Sequence, residues 1–332
     1  MLRLGLALPL LGSGLLGCTP SPTLDEAGVR PGAGRSSSTA PTPSTTPSPT
    51  IPAAATAEQQ LSAYAAAVLL GPRRREVDAA TRRLLGFLRD AHAGHATALA
   101  GADPTARPTS STPAPTATPP ALGSASLDAS LDRLARAESA QATAQRRAAV
   151  AATGLTALLS GSLSVAATTF AAALTAGRPP GVVALGPHRA VPLLSDLEAG
   201  QAMVEQLHAV VYGYQVAIGQ LEVGSRSRSR AVTGLGQARS LLDEQIAGLT
   251  KRRAEVPAAE PAYVPSPDPR SPADAAALVR AMHTRLQPYA GMLLAAAGSE
   301  ADRSRALSIL LATTRTAQAW GAPLRAWPGW PD

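Results

Sequence analysis

The chain has 332 residues, of which 45% are hydrophobic and only 3% aromatic, and its formal net charge is +7. The single cysteine excludes an internal disulfide framework. With so few aromatic residues the core must be built from Ala, Leu and Val, which favours packed helices and argues against a β-sandwich.

Residues 1–17 have the pattern of an export signal. Arg3 gives a basic start, and the apolar run from Leu4 to Leu16 is too short to span a bilayer. The run leads into Leu-Leu-Gly and Cys18, which resembles the bacterial lipobox. The resemblance implies cleavage before Cys18 and acylation of its thiol by chains such as palmitate, which would anchor the protein in membrane lipid. The alternative is an ordinary signal peptide with a chance cysteine, but the lone cysteine stands where a lipobox requires it.

Residues 18–56 follow as a segment rich in Pro, Ser, Thr and Gly. Such a composition cannot bury a core, so we predict a disordered tether that holds the following domain away from the membrane. The expected location is the extracytoplasmic face of the cell membrane.

Residues 57–178 are predicted to form a helical domain. A short helix near residues 57–70 is followed by a stronger one over 73–99, whose predicted inner face carries Val77, Leu84, Leu85, Leu88, His92 and His95. A Pro-rich loop at 103–122 precedes a third helix that starts near 126 and breaks at Gly154. The fourth helix, 155–174, is nearly uncharged. We expect it to be buried within the domain, since Ser, Thr and Gly interrupt its apolar run and argue against a membrane span.

Residues 193–332 repeat this scheme, with predicted helices at 193–223, 227–254, 272–297 and 300–321. Ser195 and Glu198 have the spacing of a capping box at the first of these helices. Pro288 is expected to kink or split the third one. Four such helices with this pattern of loops, including a Pro-rich one at 257–272, indicate an antiparallel bundle.

Several motifs in the second half carry a family resemblance. They are EQLHAVVYGY from Glu205, AWG from Ala319 and the ending WPGWP from Trp327. With these, residues 193–332 resemble a ferritin-like domain family of uncharacterised function from high-GC Gram-positive bacteria. The resemblance implies an all-α fold with a ferritin-like four-helix bundle in the C-terminal half. The first half resembles such a bundle more distantly, through the segment that contains His92 and His95.

Ferritin-like dimetal sites combine carboxylates with Glu-x-x-His pairs on facing helices. Glu205 and His208 have that spacing, Glu198 lies two turns earlier, and Asp243 and His283 are the candidates on later helices. A second Glu-x-x-His is absent from this half, so a complete di-iron set is not predicted. The alternatives are a bundle with no cofactor, which we favour, and a single site for iron or manganese.

The first half offers a second candidate cluster. Asp90, His92 and His95 lie on one predicted helix, and Glu76 and Glu138 could join them. Here too the carboxylates are not paired as a dimetal site demands.

No phosphate-binding loop, serine-hydrolase motif or zinc-protease motif occurs, so we predict no catalytic residue and no enzyme activity. We expect a non-catalytic structural or interaction role in the cell envelope with an unidentified envelope protein as partner. A ferritin-like metalloprotein is the alternative. Export argues against a nucleic-acid partner for the positive charge, and leaves attraction to anionic lipid headgroups or simple arginine bias.

Overall fold

A computed structural model describes residues 50–71, 74–101, 125–176, 179–182 and 191–331. These residues form eight α-helices and no β-strand, which confirms the all-α fold class. The helices are α1 (Thr50–Leu70), α2 (Ala79–Ala100), α3 (Leu127–Ala151), α4 (Gly154–Thr175), α5 (Asp196–Gln220), α6 (Arg226–Lys251), α7 (Pro272–Ala296) and α8 (Glu300–Ala319). The signal segment, Cys18 and most of the predicted tether lie outside the described residues.

Local sequence signals explain most helix boundaries. Asp78 accepts hydrogen bonds from the backbone amides of Ala80 and Thr81, so α2 begins six residues later than its predicted start at 73. The break between α3 and α4 falls at Gly154, whose φ of +60° is readily adopted only by glycine. The capping box of Ser195 and Glu198 at the start of α5 is confirmed.

The predicted split of the third helix in the second half is wrong, because α7 runs unbroken through Pro288. Proline removes one backbone hydrogen bond and favours a helix break. On either side of it, however, Leu286, Ala290 and Leu294 are buried in the core. Packing of this apolar face outweighs the local cost of the proline.

The first bundle consists of α1–α4, in which α1 packs on α2 and α3 while α3 packs on α4. Phe87 of α2 meets Phe170 of α4 edge-on, with ring centroids 5.6 Å apart. The predicted inner face of α2 is buried as expected, from Leu84 to His95. The core of this bundle therefore encloses two histidines among apolar side chains.

The second bundle consists of α5–α8, in which α5 packs on α6 and α7 while α7 packs on α8. Its interior is filled chiefly by aliphatic side chains, together with Tyr214 and His283. Gly234 of α6 allows the Tyr214 ring to lie directly against the helix backbone, because an added Cβ atom would stand 2.7 Å from Cζ of that ring.

The two bundles share one continuous interface. Helix α4 packs on α7 and α8, and α3 packs on α8. The Arg303 side chain, only 5% exposed, donates from Nε to the carbonyl of Val150 at 2.7 Å and from Nη1 to that of Ala297 at 3.1 Å. One arginine thus binds the C-terminal ends of α3 and α7 together, across the boundary between the halves.

Among the described residues, α4 alone is long and apolar enough to cross a membrane by length and composition. This corrects the expectation that its Ser, Thr and Gly residues would lower its hydropathy too far. The helix nevertheless lies inside the protein, with 89% of its most apolar window buried. A core helix passes the same test, so the hydropathy of α4 is explained by its central position.

After α8 the chain crosses from the second bundle to the first. Leu324 donates its backbone N–H to the carbonyl of Gly181 at 2.8 Å and forms an isolated parallel bridge with Val182. Leu324 and Ala326 are buried in the first bundle's core, whereas Trp330 is buried in the core that continues into the second bundle. We call residues 322–331 the C-terminal strap.

Candidate metal centre

Three buried side chains converge inside the first bundle. Glu58 comes from α1, and His92 and His95 come from α2. Oε2 of Glu58 lies 2.6 Å from Nδ1 of His92 and 3.0 Å from Nδ1 of His95, and each side chain is 1% exposed. In the described part of the chain, this is the one group of three or more potential metal ligands whose ligand atoms all lie within 4.8 Å of one another.

Helix periodicity brings these groups together. His92 and His95 are three residues apart and continue the buried face of Leu84, Leu85 and Leu88. Because α1 packs along α2, the Glu58 carboxylate meets both imidazoles. Burial of the apolar stripe therefore carries all three polar groups into the core.

Each ligand candidate is held by a second group. Nε2 of His92 lies 2.7 Å from Oε1 of Glu138 on α3, and Nε2 of His95 donates to the backbone carbonyl of Ala326 at 2.8 Å. Gln141 of α3 donates from its amide to Oε1 of Glu58 at 2.7 Å. Outer partners of this kind fix the ring orientation and tautomer of metal-binding histidines.

The charges in this cluster depend on one another. Burial alone would lower the pKa of His92, but the carboxylates of Glu138 and Glu58 outweigh it and raise that pKa to about 10. Burial would raise the pKa of Glu58, yet the two imidazoles hold it well below its usual range. Burial raises the pKa of Glu138, whose Oε2 is buried without a hydrogen-bond partner in the described structure. In the absence of a metal, a proton on His92 balances the Glu58 charge.

Aromatic rings separate the cluster from water. Phe170 stands edge-on to His92 at 5.7 Å between centroids and lies parallel to His95 at 6.4 Å. Trp327 of the C-terminal strap meets His95 edge-on at 4.6 Å. The low polarity of this shell strengthens electrostatic interactions within the cluster.

The donor set suits a single divalent transition-metal ion. Two imidazoles and one carboxylate are a common set for iron(II), and zinc and manganese also accept these ligand types. Two ligand atoms about 2.1 Å from one ion are roughly 3 Å apart at a right angle. The separation between Glu58 and His95 already has this value, and that between Glu58 and His92 needs to widen by a few tenths of an ångström.

The five residues that the sequence analysis proposed in the second half are spread through the bundle. Glu198 is exposed and caps α5, and Asp243 is exposed on α6. His208 is half-buried and its Nε2 lies 3.3 Å from the Pro257 carbonyl, whereas His283 is buried with Nε2 2.7 Å from the hydroxyl oxygen of Tyr214. None of them belongs to the Glu58 group, and they form no comparable group among the described residues.

Glu205, the remaining member of that set, lines a surface cavity of about 540 Å³. Glu255, Glu260 and Tyr263 line the same cavity. Burial and the neighbouring Glu260 raise the pKa of Glu205. His208 does not line this cavity, although its Nε2 lies 3.3 Å from the carbonyl of Pro257, which does.

The second candidate cluster is partly assembled. His92, His95 and Glu138 come together, whereas Glu76 is exposed and Asp90 forms a surface ion pair with Arg89. Sequence reasoning missed Glu58. A usable signal existed, since Glu58 precedes the buried Leu61 and Ala65 by three and seven residues and so lies on the inner face of α1.

Comparison with known proteins bears mainly on the second half. Residues 199–332 match a family described as a domain of unknown function (DUF4439). That match falls within the region whose motifs resembled an uncharacterised family. No curated protein matches the chain significantly.

One solved structure is similar, the crystal structure of a conserved hypothetical protein from Mycobacterium tuberculosis, at 26% identity. The similarity covers 38% of this chain and 93% of that one, with a TM-score of 0.36. The Glu58, His92 and His95 group lies outside residues 199–332. The family match therefore does not include the candidate metal site.

Proposed function

We propose that this protein binds one divalent transition-metal ion, iron(II) or manganese(II), through Glu58, His92 and His95. The observation that carries the proposal is the complete set of outer partners. The distal ring nitrogen of each histidine faces a carboxylate or carbonyl oxygen, and Gln141 orients the ligand carboxylate. Such partners direct the inner atoms of all three side chains to a common point. The proposal takes up the metalloprotein alternative that the ferritin-like resemblance raised.

The proposed role is non-catalytic. The three ligands are each about 1% exposed, and Phe170 and Trp327 lie against the histidine rings. A catalytic metal requires a coordination position that a substrate or water can reach. A fully enclosed ion instead holds helices together or is retained by the protein, which agrees with the absence of any catalytic motif in the sequence.

We further propose that the metal-binding domain is attached to the outer face of the cell membrane through lipid on Cys18. The support is the lipobox-like sequence and the Pro-rich segment that follows it. Mass spectrometry of the mature protein should find an acylated N-terminal Cys18, and Cys18→Ser should release the protein from the membrane fraction. A mature chain without fatty acid would refute this location.

Metal analysis of the purified full chain tests the main proposal. After loading with iron(II) or manganese(II) and removal of free metal, we expect about one ion per chain. Glu58→Ala, His92→Ala and His95→Ala should each abolish stoichiometric binding. His208→Ala and Glu205→Ala are the controls, because both residues lie in the second bundle away from the site.

Two results would refute the proposal. One is a wild type that binds less than about 0.1 metal ion per chain when the metal is in excess. The other is equal loss of metal in the His208→Ala control. In either case the cluster would be a metal-free network in which His92 bridges two carboxylates, and the first bundle would have a structural role alone.

A further inference from the structure

The C-terminal strap contributes directly to the proposed metal site, although 231 residues separate its Ala326 from His95. A carbonyl oxygen can only accept a hydrogen bond, so the contact at 2.8 Å requires a proton on Nε2 of His95. That arrangement leaves Nδ1 directed at Glu58. The strap therefore selects the ring orientation in which His95 can act as a ligand.

The strap also covers the site. Trp327 is half-buried, and its ring contacts the His95 ring, which is itself almost completely buried. Gly94, next to His95 on α2, faces the same ring, and a Cβ atom there would lie in ordinary van der Waals contact with it at 3.7 Å. The remaining sides of the cluster are formed by α1, α2, α3 and α4.

The strap is the covering element with the fewest backbone constraints. The four helices have continuous hydrogen-bond ladders of at least 21 residues each. In the strap, the backbone donors with described backbone partners are the amides of Ala322, Leu324 and Trp330. Segments with few backbone hydrogen bonds open locally at lower free energy than packed helices.

A close backbone contact fixes the strap to the second bundle. Gly291 of α7 faces Gly329, and a Cβ atom at position 291 would overlap the Gly329 carbonyl. Gly329 has a φ of +90°, which other residues rarely adopt. A methyl group at position 291 would force the Gly329 backbone away from α7. Position 291 thus offers a way to displace the strap without changing any residue of the site.

We propose that the C-terminal strap is the closing and positioning element of the metal site. Through Ala326 it orients His95, and its displacement opens the path by which the ion enters and leaves. The role in metal exchange rests on the proposed metal-binding function. The coverage of His95 by the strap depends only on the described contacts. The second bundle, by holding the strap, then controls metal exchange in the first.

Gly291→Ala in the full chain tests this assignment. We expect manganese release to excess chelator to accelerate about tenfold or more, because backbone overlap destabilises a packed contact. Gly86→Ala is the matched control, since position 86 also lies in a helix but has open space around its Cβ. A second variant that ends at Gly321 removes the strap entirely and should release metal at least as fast, with its helical circular dichroism retained.

A metal-independent readout separates this inference from the proposed function. In the metal-free chain, diethyl pyrocarbonate should modify His95 slowly in the wild type and Gly86→Ala, and faster in Gly291→Ala and the shortened chain, as measured by peptide mass spectrometry. The slowly exchanging Nε2 proton of His95 in nitrogen-15 NMR should be lost on strap displacement.

Failure of the two proposals would look different. A wild type that binds no metal refutes the proposed function, while the modification rates still decide whether the strap covers the histidines. If both strap variants released metal and were modified at His95 at wild-type rates, the strap assignment would be overturned while the proposed metal binding would stand. Equal acceleration by Gly86→Ala would overturn it as well, because that substitution leaves the strap in place.

Discussion

The Nε2 atom of His92 lies 2.7 Å from Oε1 of Glu138, and both side chains are almost completely buried. The proposed ion would bind Nδ1 of His92, on the side of the ring that faces Glu58, whereas Glu138 contacts Nε2. Glu138 is therefore not a ligand of that ion. It orients the imidazole and increases its basicity, as outer carboxylates do in other metal sites.

Glu138→Gln should therefore weaken metal binding without removing a ligand. The expected loss of affinity is about 10–100-fold, measured by competition with a chromophoric chelator. Asp132→Asn changes an exposed acid on the same helix and should leave affinity unchanged. Wild-type affinity in Glu138→Gln would show that the outer carboxylate does not support His92.

Because His283 is buried, we expect the protein to lose stability in acid. Burial lowers the pKa of His283 to about 4, below the ordinary value of 6.5 that it has in the unfolded chain. As the pH falls, the unfolded chain therefore binds a proton at His283 before the folded protein does. The contribution of neutral His283 to the free energy of unfolding is intact above pH 6.5 and decreases as the pH falls towards 4. The loss has an upper limit of about 3 kcal/mol.

Denaturant unfolding of the wild type and His283→Gln between pH 7.5 and 4 measures this contribution. The wild type should lose more stability than the variant over that range, since glutamine does not titrate. Carboxylates titrate in both proteins and cancel in the difference. Parallel stability curves for the two proteins would contradict the assignment.

Two glycines on α6 form a matched pair for packing. Gly234 lies against the Tyr214 ring, whereas a Cβ at Gly236 would meet nothing within 4 Å. Gly234→Ala should destabilise the fold by about 1–3 kcal/mol because the ring must move. Gly236→Ala should stabilise it by up to about 1 kcal/mol through helix propensity. Thermal unfolding that shifts both variants in the same direction would contradict the close contact.

Two arginines on α8 allow a buried contact between the bundles to be compared with a surface ion pair. Arg303 donates to the Val150 and Ala297 carbonyls, whereas the half-exposed Arg305 pairs with Glu244. Arg303→Met should cost about 2–3 kcal/mol because buried carbonyls lose a charged donor. Arg305→Met should cost less than about 1 kcal/mol. Equal costs in chemical unfolding would mean that Arg303 does not join the bundles.

The order and type of the helices were predictable because each signal is local. Asp78, Ser195 and Ser271 cap helices through their own side chains, and Gly154, with its positive φ, begins α4 just after α3 has ended. The apolar period of α2 correctly placed His92 and His95 inside. The split at Pro288 did not occur, because the local cost of a proline competes with burial that sequence alone does not measure.

The candidate site was only partly predictable. The spacing of Glu205 and His208 pointed to the second half, but a four-residue pattern does not reveal whether the helix face that carries it is turned inward. Glu58 was missed because its partners lie 34 and 37 residues away on another helix. The Ala326 carbonyl could not have been found at all, since every residue carries a carbonyl group.

By itself, the sequence determined the eight helices, their caps and the apolar faces that drive them together, because these depend on residues within a few positions of one another. Only the tertiary structure decided that Glu58, His92, His95 and Ala326 meet at one place. The packing of α1 on α2 and the path of the C-terminal strap set those distances, and both result from burying apolar surface that is far apart in the chain.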